Sequence, residues 1–312
     1  MGLIENARSR IPSLRQFWLA ARRDRRRVIY DLLPIAATPH SRDRLARVAA
    51  LWRPHTSRFA PSATARQWHT TLCEDGIVTD LPPVPQAIVA EIRSWFEGLP
   101  CRDPYRPHLG TFPFDRPPSD ESNMGFYTAP EILGAPHVLE ILNDPEILQV
   151  AELYLGCKPL LDNIACWWSF GGRPAAKGTQ RYHRDIDSLR GFKQFIHLTP
   201  VGLEDGPHHF MAGSHRSPML PTGKAMPDDI IHATFGADNE RIITGPAGTR
   251  FLADTFGWHK GGLPQSGRRL ILVAQYNVNA TPHLPKDPFL VPPRPGYDPD
   301  INRLVLLPAG KA

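Results

Sequence analysis

Hydrophobic and polar residues alternate differently in the two halves of the chain. Residues 5 to about 52 carry apolar positions at helical spacing among arginines: Ile11, Leu14, Trp18 and Leu19, then Val28, Ile29, Leu32 and Leu33. Two helices are predicted there. Pro34 ends the first, and the second runs over 42–52 behind Ser41 as N-cap. Residues 53–83 read as irregular, with a short strand near 76–78. A helix over 86–96 gathers Ile88, Val89, Ile92, Trp95 and Phe96 on one face and closes at Gly98. Asp144-Pro145-Glu146 starts another, because Asp caps, Pro suits the first turn and Glu meets the positive end of the dipole; it should stop at Gly156. Beyond residue 158 the text becomes short β-branched and apolar runs punctuated by Gly and Pro: 160–170, 192–200, 241–246, 249–254 and 269–278.

Consecutive strands without intervening helices predict a mostly β fold with flanking helices, a sandwich or jelly roll. The expected division is an N-terminal helical extension over 1–58, the β domain over 59–280 and a proline-rich tail over 281–312 packed on it. The stretch 99–121, rich in proline and aromatics, reads as an ordered loop or lid.

Composition narrows the function classes. Hydrophobic residues make up 41% and charged residues 21%, so a sizeable core is possible and wholesale disorder is excluded. The net charge of +5 collects around Arg22, Arg23, Arg25, Arg26 and Arg27. No aromatic pattern accompanies that run, so a solvated helix face is expected, with no nucleic-acid partner. Cys73, Cys101, Cys157 and Cys166 form no CxxC pair. No apolar stretch is long enough to span a bilayer, no signal-peptide core is present, and Asn6 breaks the myristoylation pattern. A cytoplasmic protein with free thiols is the expectation. The sequence does not speak to oligomeric state.

Among 13 histidines a lone one means little. His183 and Asp185 stand at i and i+2, so on an extended segment both side chains share a face. An imidazole and a carboxylate so placed can take two adjacent positions around a metal. A third ligand from a distant strand would complete a facial triad and leave the opposite side open. His259, after the strand Thr249–Asp254 and the turn Thr255-Phe-Gly-Trp258, is the candidate. Downstream, Arg268 and Arg269 open the last strand. A guanidinium pointing inward there could clamp a carboxylate. Strand parity puts Arg269 with Ile271, Val273 and Gln275; Arg268 remains an alternative.

The order His183-x-Asp185, Gly206…Gly213-Ser214-His215, Trp258-His259…Arg269…Tyr276 resembles the phytanoyl-CoA dioxygenase family over about residues 60–280. The resemblance implies a double-stranded β-helix (cupin-like jelly roll) holding Fe(II) on His183, Asp185 and His259. It also implies 2-oxoglutarate bound through Arg269, with Phe195 as an aromatic of the cosubstrate pocket and Gly213-Ser214-His215 as a structural turn. The reaction so implied is O2-dependent hydroxylation of a small molecule at an unactivated C–H, with release of succinate and CO2. Related halogenases carry a small residue where Asp185 stands. The sequence departs from the family at Arg184, commonly Gln, and in the loop after His259. The competing expectations are an iron-free jelly-roll binding protein and a metal cupin enzyme that does not use 2-oxoglutarate.

Other polar residues read as structural. His208 and His209 face opposite ways, one of them inward; His197 is a core or pocket histidine; His215 is a loop corner. Asp254 is a loop hydrogen-bonder, Asp187 a weaker rival to Asp185, and Trp167 and Trp168 are packing residues, one of which could line the mouth. Thr179, Gln180 and Tyr182 flank the metal segment.

Overall fold

A computed structural model describes residues 38–56, 60–118, 120–176, 178–221, 223–281 and 296–306. The first predicted helix with its arginine run, and most of the proline-rich tail, lie outside these residues.

Seven α-helices are described: α1 Pro39–Ala50, α2 Ala63–Asp75, α3 Gln86–Glu97, α4 Ala129–Gly134, α5 Val138–Leu142, α6 Pro145–Leu155 and α7 Asp228–Phe235. The described strands are β1 Ile77–Val78, β2 Cys101–Arg102, β3 Thr111–Phe112, β4 Met124–Phe126, β5 Leu160–Phe170, β6 Gly191–His197, β7 His208–Met211, β8 Glu240–Ile243, β9 Arg250–Ala253, β10 His259–Gly261 and β11 Arg268–Asn277. They form an antiparallel sheet in the order β1-β9-β6-β11-β5-β4-β2-β3 and a second in the order β10-β7-β8.

Alternation along the strands builds two cores. Leu270, Leu272, Ala274 and Tyr276 of β11, with Phe192 and Ile196 of β6, pack against helix residues such as Trp68, Leu72, Ile92, Phe96, Val150 and Tyr154. The opposite faces, Phe195, Phe251, Ile271 and Val273, meet Phe210 and Ile243 of the small sheet. Two antiparallel sheets packed face to face, with helices on the outer side of the larger one, make the mostly β jelly roll that the strand pattern predicts.

The differences from the sequence reading have local causes. Thr38, not Ser41, caps α1, and its side chain accepts a bond from Ser41 N at 3.3 Å; Pro39 then fits the first turn. Helix α2 occupies a stretch expected to be irregular. Ser62 caps it, Gly76 ends it in the left-handed region, and Ala65, Trp68 and Leu72 bury one narrow face of an otherwise polar segment. Helix α6 begins and ends as predicted: Asp144 Oδ1 accepts from Glu146 N at 3.0 Å and Gly156 closes the helix at φ 71°. Trp95, expected on the buried face of α3, is 40% exposed and donates its indole N–H to Glu131 O. In the tail, the described residues Ile301, Val305 and Leu306 are buried in the helix-side core.

Candidate metal centre and its cavity

Between the sheets lies a cavity of 310 Å³. Its walls include Phe195 and Lys193 of β6, His208 of β7, Arg269, Ile271 and Val273 of β11, and Trp167 of β5. His183, Asp185 and His259 also face it.

The segment carrying His183 and Asp185 is not a regular strand. It is extended, but its ladder consists of isolated bridges, Tyr182 with Met226 and His183 with His259. His183 N donates to His259 O at 2.9 Å, and His259 N donates back to His183 O at 3.1 Å. Asp185 N donates to Thr255 O at 2.8 Å. These three bonds bring residues distant in the chain onto one wall. One donor atom from each of His183, Asp185 and His259 falls within 4.8 Å of the others.

The imidazoles are oriented from behind. His183 Nδ1 lies 2.9 Å from Arg181 O, and His259 Nδ1 lies 2.9 Å from Gly257 O. A carbonyl can only accept, so each Nδ1 carries a proton, and in the neutral ring that a metal requires Nε2 keeps its lone pair. Those Nε2 atoms stand 3.4 Å and 3.6 Å from the Asp185 carboxylate oxygens. Burial, joined by the neighbouring His183, pushes the His259 pKa down to about 3, so its ring is neutral. Burial works against charge on Asp185 as well. Lys193, His259 and His183 outweigh it and hold the carboxyl well below the usual range. Two imidazole lone pairs and one carboxylate on a shared wall are a donor set that fits a divalent transition metal.

Residues flanking the triad point elsewhere. Arg184 turns away from the cavity, buried beside the Phe256 and Trp258 rings, and donates to Ser214 O and Ser217 O at 3.0 and 2.9 Å. Ser214 Oγ in turn accepts from Trp258 N at 2.8 Å, which ties the Gly-Ser-His corner to the residue before His259. His215 lies at that corner, 3.2 Å from Cys73 O. Asp254 takes the Tyr154 hydroxyl at 2.5 Å and the Phe256 amide at 3.0 Å. His209 faces away to Glu240 at 2.8 Å, and the Tyr182 hydroxyl bonds the same carboxylate.

The two arginines separate cleanly. Arg269 is buried at the cavity wall, where its guanidinium donates to Gly206 O and, at 3.2 Å, to Ser169 Oγ. Burial draws its pKa down to about 10, which leaves it charged at neutral pH. Arg268 is exposed on the other face, over the Phe114 ring with its centroid at 5.4 Å, and does not line the cavity. Of the two arginines, Arg269 alone stands in the cavity wall, and Arg268 lies outside it. Ile271 and Val273 share the wall with Arg269, but the series stops there. Gln275 bonds Asn163 and Asn277 instead, next to a bulge where β5 slips register and Asn163 takes φ 45°.

Several cavity residues carry no signal in the sequence. Lys193 Nζ donates to Asp185 Oδ2 at 2.6 Å and lies 3.4 Å from Asp187 Oδ2. A lone lysine in a strand is silent, although its parity with Phe195 points it inward. Phe126 stacks on Trp167 at 5.4 Å and meets Tyr105 edge-on at 6.2 Å, giving the mouth an aromatic wall. Of the residues that the sequence places beside the metal segment, Thr179 and Gln180 line the cavity and Tyr182 does not.

No family model and no curated protein matches the chain. Solved structures with a similar fold include EctD from S. alaskensis with 2-oxoglutarate and 5-hydroxyectoine, at 21% identity and TM-score 0.49, covering 72% of this chain and 82% of that one. The epimerase SnoN from nogalamycin biosynthesis, in complex with iron, alpha ketoglutarate and nogalamycin RO, is 19% identical with TM-score 0.48, covering 69% and 84%. HygX from Streptomyces hygroscopicus, with nickel, 2-oxoglutarate and hygromycin B bound, is 14% identical with TM-score 0.48, covering 68% and 86%.

Proposed function

We propose that this chain is an Fe(II)- and 2-oxoglutarate-dependent oxygenase of the phytanoyl-CoA dioxygenase family that hydroxylates a small organic molecule at an unactivated C–H, releasing succinate and CO2. The observation that carries this reading is the orientation of the triad. Both histidines spend Nδ1 on backbone carbonyls and turn Nε2 to one carboxylate, at the wall of a cavity that also holds a buried arginine.

His183, Asp185 and His259 would hold the iron. Bound there with 2-oxoglutarate, it would supply the activation of O2 and the oxidising power. The chain does the rest by placement. Arg269 offers a charged fork to the distal carboxylate of the 2-oxo acid. Phe195, stacked on Phe251 at 4.7 Å, keeps that side of the cavity apolar and excludes water from it. The Phe126–Trp167 wall orients the substrate over the triad. Lys193 holds one oxygen of Asp185 in a fixed direction.

Anaerobic addition of Fe(II) and 2-oxoglutarate should give the weak visible metal-to-ligand charge-transfer band, absent in His183→Ala. A succinate-release screen with mass detection of one added oxygen then identifies the substrate. Lys193 so close to Asp185 is the one observation favouring an iron-free binding protein. A wild-type chain that takes up no divalent metal would sink the oxygenase reading in favour of that one.

A further inference from the structure

One wall residue has a chemistry that the triad and Arg269 do not use. His208 is 4% exposed and lines the cavity. In β7 it pairs with Gly261, two residues beyond His259. Its ring stacks on the His259 ring at 5.4 Å and lies 4.8 Å from Phe195 and 5.1 Å from Phe251. Its Nε2 is buried and has no hydrogen-bond partner, and the same holds for Nε of Arg269. A buried polar atom left unpaired bears the full penalty of its desolvation. Leucine or phenylalanine would suit aromatic neighbours without that cost. His208 is also not part of the donor cluster formed by His183, Asp185 and His259, which sets it apart from the ligands. An imidazole in this wall therefore has unused hydrogen-bonding capacity beside the path from the triad to Arg269.

Resting on the function proposed above, we infer that His208 is a second cosubstrate-binding side chain, whose imidazole hydrogen-bonds an oxygen of the 2-oxo acid lying between the metal and Arg269. An imidazole carries at least one N–H in either protonation state, so the ring can donate to that oxygen. The role is binding: Arg269 would supply the charge, and His208 would fix the direction of one oxygen.

The test uses the full chain loaded with Mn(II), which binds oxygen-ligand cosubstrates without turnover. Calorimetry gives the 2-oxoglutarate dissociation constant, and a separate titration gives that of Mn(II). His208→Leu and His208→Phe should each weaken 2-oxoglutarate about tenfold, the scale of one hydrogen bond to a charged group. Mn(II) affinity should stay within twofold, and His208→Gln should recover most of the loss. Unchanged 2-oxoglutarate affinity in both apolar variants overturns the inference. So does a parallel loss of Mn(II) affinity, which would make His208 part of the metal site. Wild type that binds Mn(II) but no 2-oxoglutarate is a different failure: it removes the cosubstrate reading itself, and this inference with it. If His208→Leu does not fold, His208→Phe, matched to its aromatic neighbours, gives the same reading.

Discussion

Lys193 Nζ lies 2.6 Å from Asp185 Oδ2, so the carboxylate of the candidate triad already has a cation beside it. Asp187 shares that ammonium at 3.4 Å. Replacing the lysine strands two carboxylates in a largely enclosed site. Lys193→Met should therefore destabilise the metal-free protein by roughly 3 kcal/mol. A divalent cation should recover most of that loss, since it supplies the missing charge. Thermal scans with and without Mn(II) check this: the metal should raise the variant's Tm more than the wild type's. Equal increments would mean that Lys193 and the metal do not share a carboxylate.

Arg269 and Arg268 are neighbours in sequence with opposite surroundings, one in the cavity wall and one over Phe114. Arg269→Ala should weaken 2-oxoglutarate by about 2–3 kcal/mol, roughly 30- to 150-fold, as expected for losing charged hydrogen bonds. Metal affinity should hold. Arg268→Ala should leave both constants unchanged. The two variants titrated in parallel test whether 2-oxoglutarate, if bound, meets the guanidinium in the cavity wall.

Gly206 has φ 74°, and its carbonyl accepts a bond from the Arg269 guanidinium. A Cβ at this position would overlap Gly262 O and the Pro264 ring. Gly206→Ala should cost roughly 2 kcal/mol of stability, from strained backbone and collision together. It should also weaken 2-oxoglutarate more than Mn(II), because the shift reaches Arg269 before it reaches the triad. Denaturant unfolding and the two titrations report the pair of effects.

His197 is fully buried with neither ring nitrogen bonded, and burial, helped by Arg269, pushes its pKa from 6.5 down to about 3. Below pH 6.5 the unfolded chain takes up a proton that the folded chain refuses. Stability should thus be complete above pH 6.5 and fall as pH drops toward 3, by up to about 1.4 kcal/mol per pH unit from this residue. His208 adds a contribution of the same sign. Unfolding measured from pH 7 to pH 5 should show the decline, and His197→Leu should flatten it.

Much of the frame was legible because local signals and tertiary demands agreed. Asp144, Pro145 and Gly156 each serve one helix end, so α6 could be read to the residue. Alternation placed Arg269, Ile271 and Val273 on one face, as the cavity wall has them. Helix α2 was not legible: only Ala65, Trp68 and Leu72 are buried, and the polar text between them hides so narrow a stripe. No element was expected over 228–235 either, where α7 buries Ile231 alone. The i, i+2 spacing of His183 and Asp185 pointed to one face, but the partner holding them is the backbone of residues 255–259 rather than a neighbouring strand of the large sheet. Lys193 was missed as a cavity group, and which of His208 and His209 faces inward stayed open, since the strand's register is supplied only by folding.

The mutual amide–carbonyl exchange between His183 and His259 has an engineering consequence. The spacing of the two imidazoles is set by a clasp of main chain, not by the length of the polypeptide running from one to the other. A loop inside that span, such as 198–205, which stops short of the Gly206 that meets Arg269, can be shortened, lengthened or grafted from another scaffold while the clasp stays shut. Loop composition and imidazole spacing are thereby separable, and a library varied in that loop should keep the spacing of the triad.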